Sequence, residues 1–211
     1  MIEITIPESV TQIFSNAFAE CFNIEKIEVA KNNLNYSSIG NCLIERDTKI
    51  LKAGCKNSII PIGGEAQVIG EAAFCDCVGL ASITIPDSVI SINYMAFYGC
   101  TGLTSITIGN GVTSIGDSAL RHCIGLASIM IPDRVASIGD WAFESCIGLT
   151  SITIGSNVTS IGEHACAYCK KVTDIKFNGT VSQWNFITKG ANWNIGVPAT
   201  YVQCSDGQVA L

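Results

Sequence analysis

Between Leu80 and Lys171 the chain repeats one phrase four times. Leu80-Ala-Ser-Ile-Thr-Ile85-Pro, Leu103-Thr-Ser-Ile-Thr-Ile108-Gly, Leu126-Ala-Ser-Ile-Met-Ile131-Pro and Leu149-Thr-Ser-Ile-Thr-Ile154-Gly open units that close on Cys100, Cys123, Cys146 and Cys169, each step being 23 residues. Such a period dictates a solenoid, because so short a unit is stable only when stacked on its neighbours. The same register runs through residues 1–23, where Ile4 and Ile6 match Ile83 and Ile85, Pro7 matches Pro86 and Cys21 matches Cys100. It breaks between about 31 and 56. There Cys42-Leu-Ile44 and Ile50-Leu51 flank the polar Glu45-Arg-Asp-Thr-Lys49 and predict a β-hairpin insert. The period resumes at Ile59-Ile-Pro61.

Within a unit, Leu80, Ile83 and Ile85 point one way and Ser82 and Thr84 the other, the period-2 pattern of a strand. Stacked at about 4.8 Å per rung, these strands predict one long parallel sheet. A second short strand is expected at Val89–Ile92 and its repeats, followed by a turn in which Gly116, Gly139 and Gly162 supply positive φ. Ala96-Phe97-x-x-Cys100 and its repeats place apolar groups at i, i+1 and i+4, which predicts single helical turns. The Leu, Ile, Val, Ala, Phe and Cys of each unit then face inward, each large side chain contributing roughly 1.5–3 kcal/mol when fully buried.

Six of the eleven cysteines (Cys21, Cys77, Cys100, Cys123, Cys146 and Cys169) share one slot of the repeat. That recurrence reads as a packing position for reduced, buried thiols. Cys75-x-Cys77 and Cys166-x-x-Cys169 are close pairs without a second pair at ligand spacing, so neither metal nor cofactor is expected. The net charge of −6 disfavours nucleic acid and an anionic membrane surface. Apolar runs fall well short of the roughly 20 residues of a membrane helix. No secretory leader precedes Ile2, and the chain opens in mid-repeat. This favours a piece of a longer surface protein, with a cytoplasmic protein as the alternative.

The phrase Leu-x-Ser-Ile-x-Ile-Pro-x-x-Val-x-Ser-Ile-Gly-x-x-Ala-Phe-x-x-Cys resembles the BspA-type, or Treponema pallidum-type, leucine-rich repeat over residues 1–29 and about 57–171. The resemblance implies an α/β leucine-rich-repeat solenoid over 1–171. Its parallel β-sheet would lie on the concave side, with short strands and single helical turns on the other and a hairpin insert at about 31–56. Phe177-Asn-Gly-Thr-Val-Ser-Gln-Trp184 and Val202-Gln-Cys-Ser-Asp-Gly207 look like the capping segment that follows such arrays, here 172–211. Within it, Trp184, Trp193 and Cys204 would seal the apolar end of the stack. Members of the family are typically surface or secreted proteins, and those with a known role bind host matrix proteins, other microbes or receptors.

The outward positions of the expected sheet are the candidate binding residues: Ser82, Thr84, Ser105, Thr107, Ser128, Met130, Ser151, Thr153, Asp174 and Lys176. Ser and Thr are also ordinary exposed strand residues, but Met130 in their midst has no structural need. A second line, Met95, Ser118, Trp141 and His164, with Tyr98, His122 and Tyr168 beside it, could anchor an interface or cover the core's rim. His122 and His164 lack partners at catalytic or metal spacing, and Asp117, Asp140 and Glu163 recur at one slot as a rim. No phosphate loop or nucleophile elbow occurs. The expectation is a non-enzymatic module that binds a protein or glycan through the concave face, of undetermined oligomeric state. A ligand-free structural spacer is the alternative.

Overall fold

Alternating Ile with Ser or Thr gives each unit one strand with a wet and a dry face. The computed structural model describes residues 2–15, 17–18, 21 and 23–211. It begins with β1 (Ile2–Ile6) and β2 (Ile24–Val29), paired in parallel. The insert supplies β3 (Tyr36–Ile39), β4 (Cys42–Glu45) and β5 (Ile50–Ala53), an antiparallel meander. Both Gly40 (φ 59°) and Asn41 (φ 58°) in its first turn have positive φ, as a two-residue type I′ hairpin requires. Then come β6 (Val68–Ile69) and four strand pairs, each a front strand and a two-residue back strand. They are β7 (Ser82–Ile85) and β8 (Ser91–Ile92), β9 (Ser105–Ile108) and β10 (Ser114–Ile115), β11 (Ser128–Met130) and β12 (Ser137–Ile138), and β13 (Ser151–Ile154) and β14 (Ser160–Ile161). The chain closes with β15 (Asp174–Phe177), the helix α1 (Val181–Phe186), β16 (Thr188–Lys189), β17 (Tyr201–Cys204) and β18 (Gly207–Ala210).

The result is a β-solenoid, and four expectations need correction. The long sheet is the back one: β16-β14-β12-β10-β8-β6-β5-β4-β3 run unbroken as nine strands. The front strands form three separate ladders instead: β1-β2, β7-β9 and β11-β13-β15-β17-β18. The insert accounts for the first gap. Its tip takes the place of a neighbouring strand, so that Ile59 N–H donates to Gly40 O at 2.8 Å.

Second, the α part of the α/β expectation fails. The only α-helix among the described residues is the six-residue α1, and the anticipated helical turns are strings of tight turns. Ala96, Tyr98 and Cys100 N–H donate three residues back, while Met95, Phe97 and Gly99 N–H reach Asp117, Ala119 and Arg121 carbonyls of the next unit at 3.0, 2.7 and 2.9 Å. Spacing of apolar groups at i, i+1 and i+4 suits either geometry. Stacking decides, because alternate donors can bond between units only if they leave the helix pattern.

Third, Gly116, Gly139 and Gly162 do not have positive φ. They are glycines because neighbouring units touch there: a Cβ on Gly139 would lie 2.4 Å from Asp117 Oδ1 and 2.5 Å from its backbone nitrogen. Left-handed backbone occurs two residues later, at Met95, Ser118, Trp141 and His164 (φ 53–54°), and again four residues on, at Gly99, His122, Ser145 and Tyr168 (φ 58–67°).

The interior is a set of columns. Phe74 and Phe97 stack at 4.9 Å and 10°. The thiols of Cys100, Cys123, Cys146 and Cys169 each donate to a carbonyl of the preceding unit, those of Phe74, Phe97, Leu120 and Phe143, at 3.0–3.2 Å. Cys21, expected in this buried column, is exposed. Cys55 extends the column instead: its carbonyl accepts from Ser58 N–H at 3.0 Å, as that of Cys77 accepts from Leu80. Strand β4 is a partition, with Cys42 and Ile44 in the main core and Leu43 in a smaller core with Ile6, Ile24, Ile27 and Tyr36.

The rung pattern runs on past Lys171. Cys166 and Tyr168 N–H donate to Trp193 and Ile195 carbonyls, both at 2.7 Å, and Asn192 (φ 54°) and Gly196 (φ 76°) repeat the left-handed pair. In this unit Trp193 stands in the column of Ala96, Ala119, Ala142 and Ala165, and Lys189 in that of Ile161. Lys189 Nζ folds back to Trp184 O (2.8 Å) and Ile187 O (3.1 Å), 4.6 Å from the centre of the Trp184 ring. Trp184, Trp193 and Cys204 are buried together at this end of the core.

Candidate functional site

The front strands hold Ser and Thr outward because their Ile neighbours are locked inward. Ser82, Thr84, Ser105, Thr107, Ser128, Met130 and Lys176 are exposed, and Ser151, Thr153 and Asp174 half-buried. Register aligns them in two ranks. Ser82 faces Ser105 and Thr84 faces Thr107; beyond the gap after β9, Ser128, Ser151 and Asp174 form one rank and Met130, Thr153 and Lys176 the other. Lys176 and Asp174 pair at 3.2 Å at the end of the ranks.

The hydroxyls differ by position. Those of Thr104, Thr113, Thr150 and Thr159, at strand margins, donate to carbonyls of the preceding unit at 3.0–3.1 Å. None of the seven front-face Ser and Thr hydroxyls bonds to another described residue. They are open donors and acceptors in parallel rows.

Apolar groups interrupt the rows at two places. Met130 is 68% exposed. Ile59 and Ile62 are 74% and 86% exposed and, with Ser82, Ile83, Thr84 and Pro86, line a groove of about 260 Å³ where the front sheet is broken. Ile62 was missed in the sequence because the unit containing it departs from the period; its apolar character beside Pro61 and Gly63 was the available sign.

Six buried thiols are held in their protonated form. Burial pushes the Cys77 thiol up to about 11 and that of Cys42 up to about 12, and lifts Cys100, Cys146, Cys166 and Cys169 well above the usual thiol range. A thiol that stays protonated at neutral pH is neither an attacking group nor a ready metal ligand. Among the described residues no three His, Cys, Asp or Glu side chains gather as a metal set. The recurrent acids are occupied by structure: Asp117 and Asp140 Oδ1 accept the N–H of Asp140 and Glu163, 23 residues on, at 2.9 and 2.6 Å. His164 Nδ1 lies 3.3 Å from Glu163 Oε1, and His122 meets Tyr98 edge to face at 5.6 Å. Among the described residues no helix is long and apolar enough to cross a membrane.

This architecture has solved counterparts. A leucine-rich cell surface protein of Faecalibacterium prausnitzii is 36% identical, with a TM-score of 0.78 over 88% of this chain and 50% of its own. The pneumococcal vaccine antigen PcpA, 18% identical, gives 0.71 over 98% of this chain and 56% of its own. A leucine-rich repeat protein of Treponema pallidum, 24% identical, gives 0.54 over 78% and 82%. The latter two show likeness of fold alone, and the chain spans about half the length of the first two. No curated protein matches it. The profile of the BspA-type leucine-rich repeat region matches six copies over residues 1–66 and 67–188. The chain therefore belongs to the BspA-type leucine-rich repeat family.

Proposed function

We propose that the protein is a non-enzymatic binding module that recognises a protein or glycan through its front face, as part of a bacterial cell-surface or secreted protein. The observation that carries this reading is the pair of hydroxyl ranks with no bonding partner of their own, set between Ile59 and Ile62 at one end and Asp174 and Lys176 at the other. Such a surface gives many small directional contacts with apolar anchors, the mixture that protein and glycan ligands both use. The surface location draws on the F. prausnitzii relative, described as a cell surface protein.

Screening the intact chain on arrays of host matrix proteins and glycans should give at least one hit that Thr107→Arg and Met130→Arg both abolish. A hit that survives both substitutions moves the site off the front face. An array without hits supports a spacer role instead.

A further inference from the structure

From Ala72 onward the fold places left-handed backbone at two corners of each unit, but it does not demand rings there. Such φ values cost an L-residue about 1–2 kcal/mol, and glycine would remove that cost. Yet among the described residues only Gly99 and Gly196 serve at these corners, while Trp141, His164, His122 and Tyr168 carry rings. Trp141 and His164 stack nearly parallel, 6.3 Å apart at 6°. Tyr94 and Tyr168, on the same series of turns, are exposed.

Acids outnumber bases in the corner turns, with Lys170 and Lys171 following directly after the last of them. Across the corner segments 93–100, 116–123, 139–146 and 162–169 the acids are Asp117, Asp140, Glu144 and Glu163 and the only Lys or Arg is Arg121. That guanidinium is already paired with Glu144. Asp117 and Asp140 each use Oδ1 for a backbone N–H, and Glu163 Oε1 lies 3.3 Å from His164 Nδ1. Aromatic faces beside unneutralised carboxylates complement a planar cation, which stacks on the ring and pairs with the carboxylate together.

We propose that the turn side between Tyr94 and Tyr168 docks an arginine-bearing, extended segment of a partner protein, its guanidinium groups laid against the Trp141–His164 stack and paired with Asp140 and Glu163. This surface is distinct from the hydroxyl ranks of the front face. A lysine segment would gain the charge attraction but little of the stacking.

Isothermal titration calorimetry of the intact chain with nona-arginine and nona-lysine peptides tests it. Nona-arginine should bind severalfold more tightly than nona-lysine. Trp141→Leu should weaken nona-arginine by roughly threefold to thirtyfold, to the nona-lysine level, and Glu163→Gln should weaken it while leaving the rings in place. Met130→Ala, on the front face, should change nothing, so failure here and failure of the front-face reading are separate results. If Trp141→Leu unfolds, Glu163→Gln and the peptide comparison carry the test. Absence of binding would overturn the proposal, as would equal affinities for both peptides unaffected by Glu163→Gln, which would leave only attraction to a chain of net charge −6.

Discussion

The front and the turn side of the rod come from the same 23-residue unit and are held together differently. The front strands carry the more regular text, yet their ladders break into three. The turn side looks irregular, with Tyr98, Arg121, Glu144 and Ala167 in one slot, yet its N–H groups bond from unit to unit without a gap from Ala72 to Tyr168. The back sheet beside it is likewise continuous. Regular spelling fixes which way side chains point, whereas continuity depends on backbone corners and on glycines where units touch. The turn side should therefore carry stability and the front should tolerate change.

The largest expected difference is between Phe97→Ala and Thr107→Ala. Phe97 is fully buried against Phe74, and its loss should cost about 3–5 kcal/mol. Thr107 is exposed without a bonding partner and should stay within about 0.5 kcal/mol. Urea unfolding monitored by circular dichroism measures both, and comparable losses would break the contrast. Next in size is Gly139→Ala, which drives a Cβ into the backbone of Asp117 and should cost about 1–3 kcal/mol. A neutral result would mean that the units can separate there.

Ala72→Gly should act in the opposite direction. Ala72 holds φ 52°, and relieving it should raise stability by up to about 1 kcal/mol, read as a higher urea midpoint. A lower midpoint would show that the left-handed corner costs this chain nothing. The smallest effect belongs to the front margin. Ser156 N–H and the Asn178 amide hold the Asp133 carboxyl below its usual 3.8. With a depressed folded-state value, the stabilisation is present above pH 3.8 and lost as pH falls through the folded value. Asp133→Asn should flatten the acid limb of the stability profile slightly, because the group is largely exposed.

The inward columns and the outward ranks were legible in the sequence, because a strand's period of two leaves Ile83 and Thr84 no choice of side. The corners were not. Glycine marks close approach as well as positive φ, so Gly139 pointed to the wrong residue, while the true left-handed positions carry Met95, Trp141 and His164, which give no such sign. The unit around Trp193 was hidden for a related reason. It is spaced wider, Gly190 following Gly162 after 28 residues, and it carries Trp in the Ala column and Lys in the Ile column. The break after β2 could not be read either, since it depends on where the tip of the insert lodges rather than on Ile59 itself.

Trp193 has one more implication. In this structure the back sheet ends at β16, beside the indole that fills the alanine file. Whole units of 23 residues could be lost or duplicated before it while each rung still meets a neighbour of the same pattern, changing the length of the rod by about 4.8 Å at a time. Reach would then be adjustable by copying.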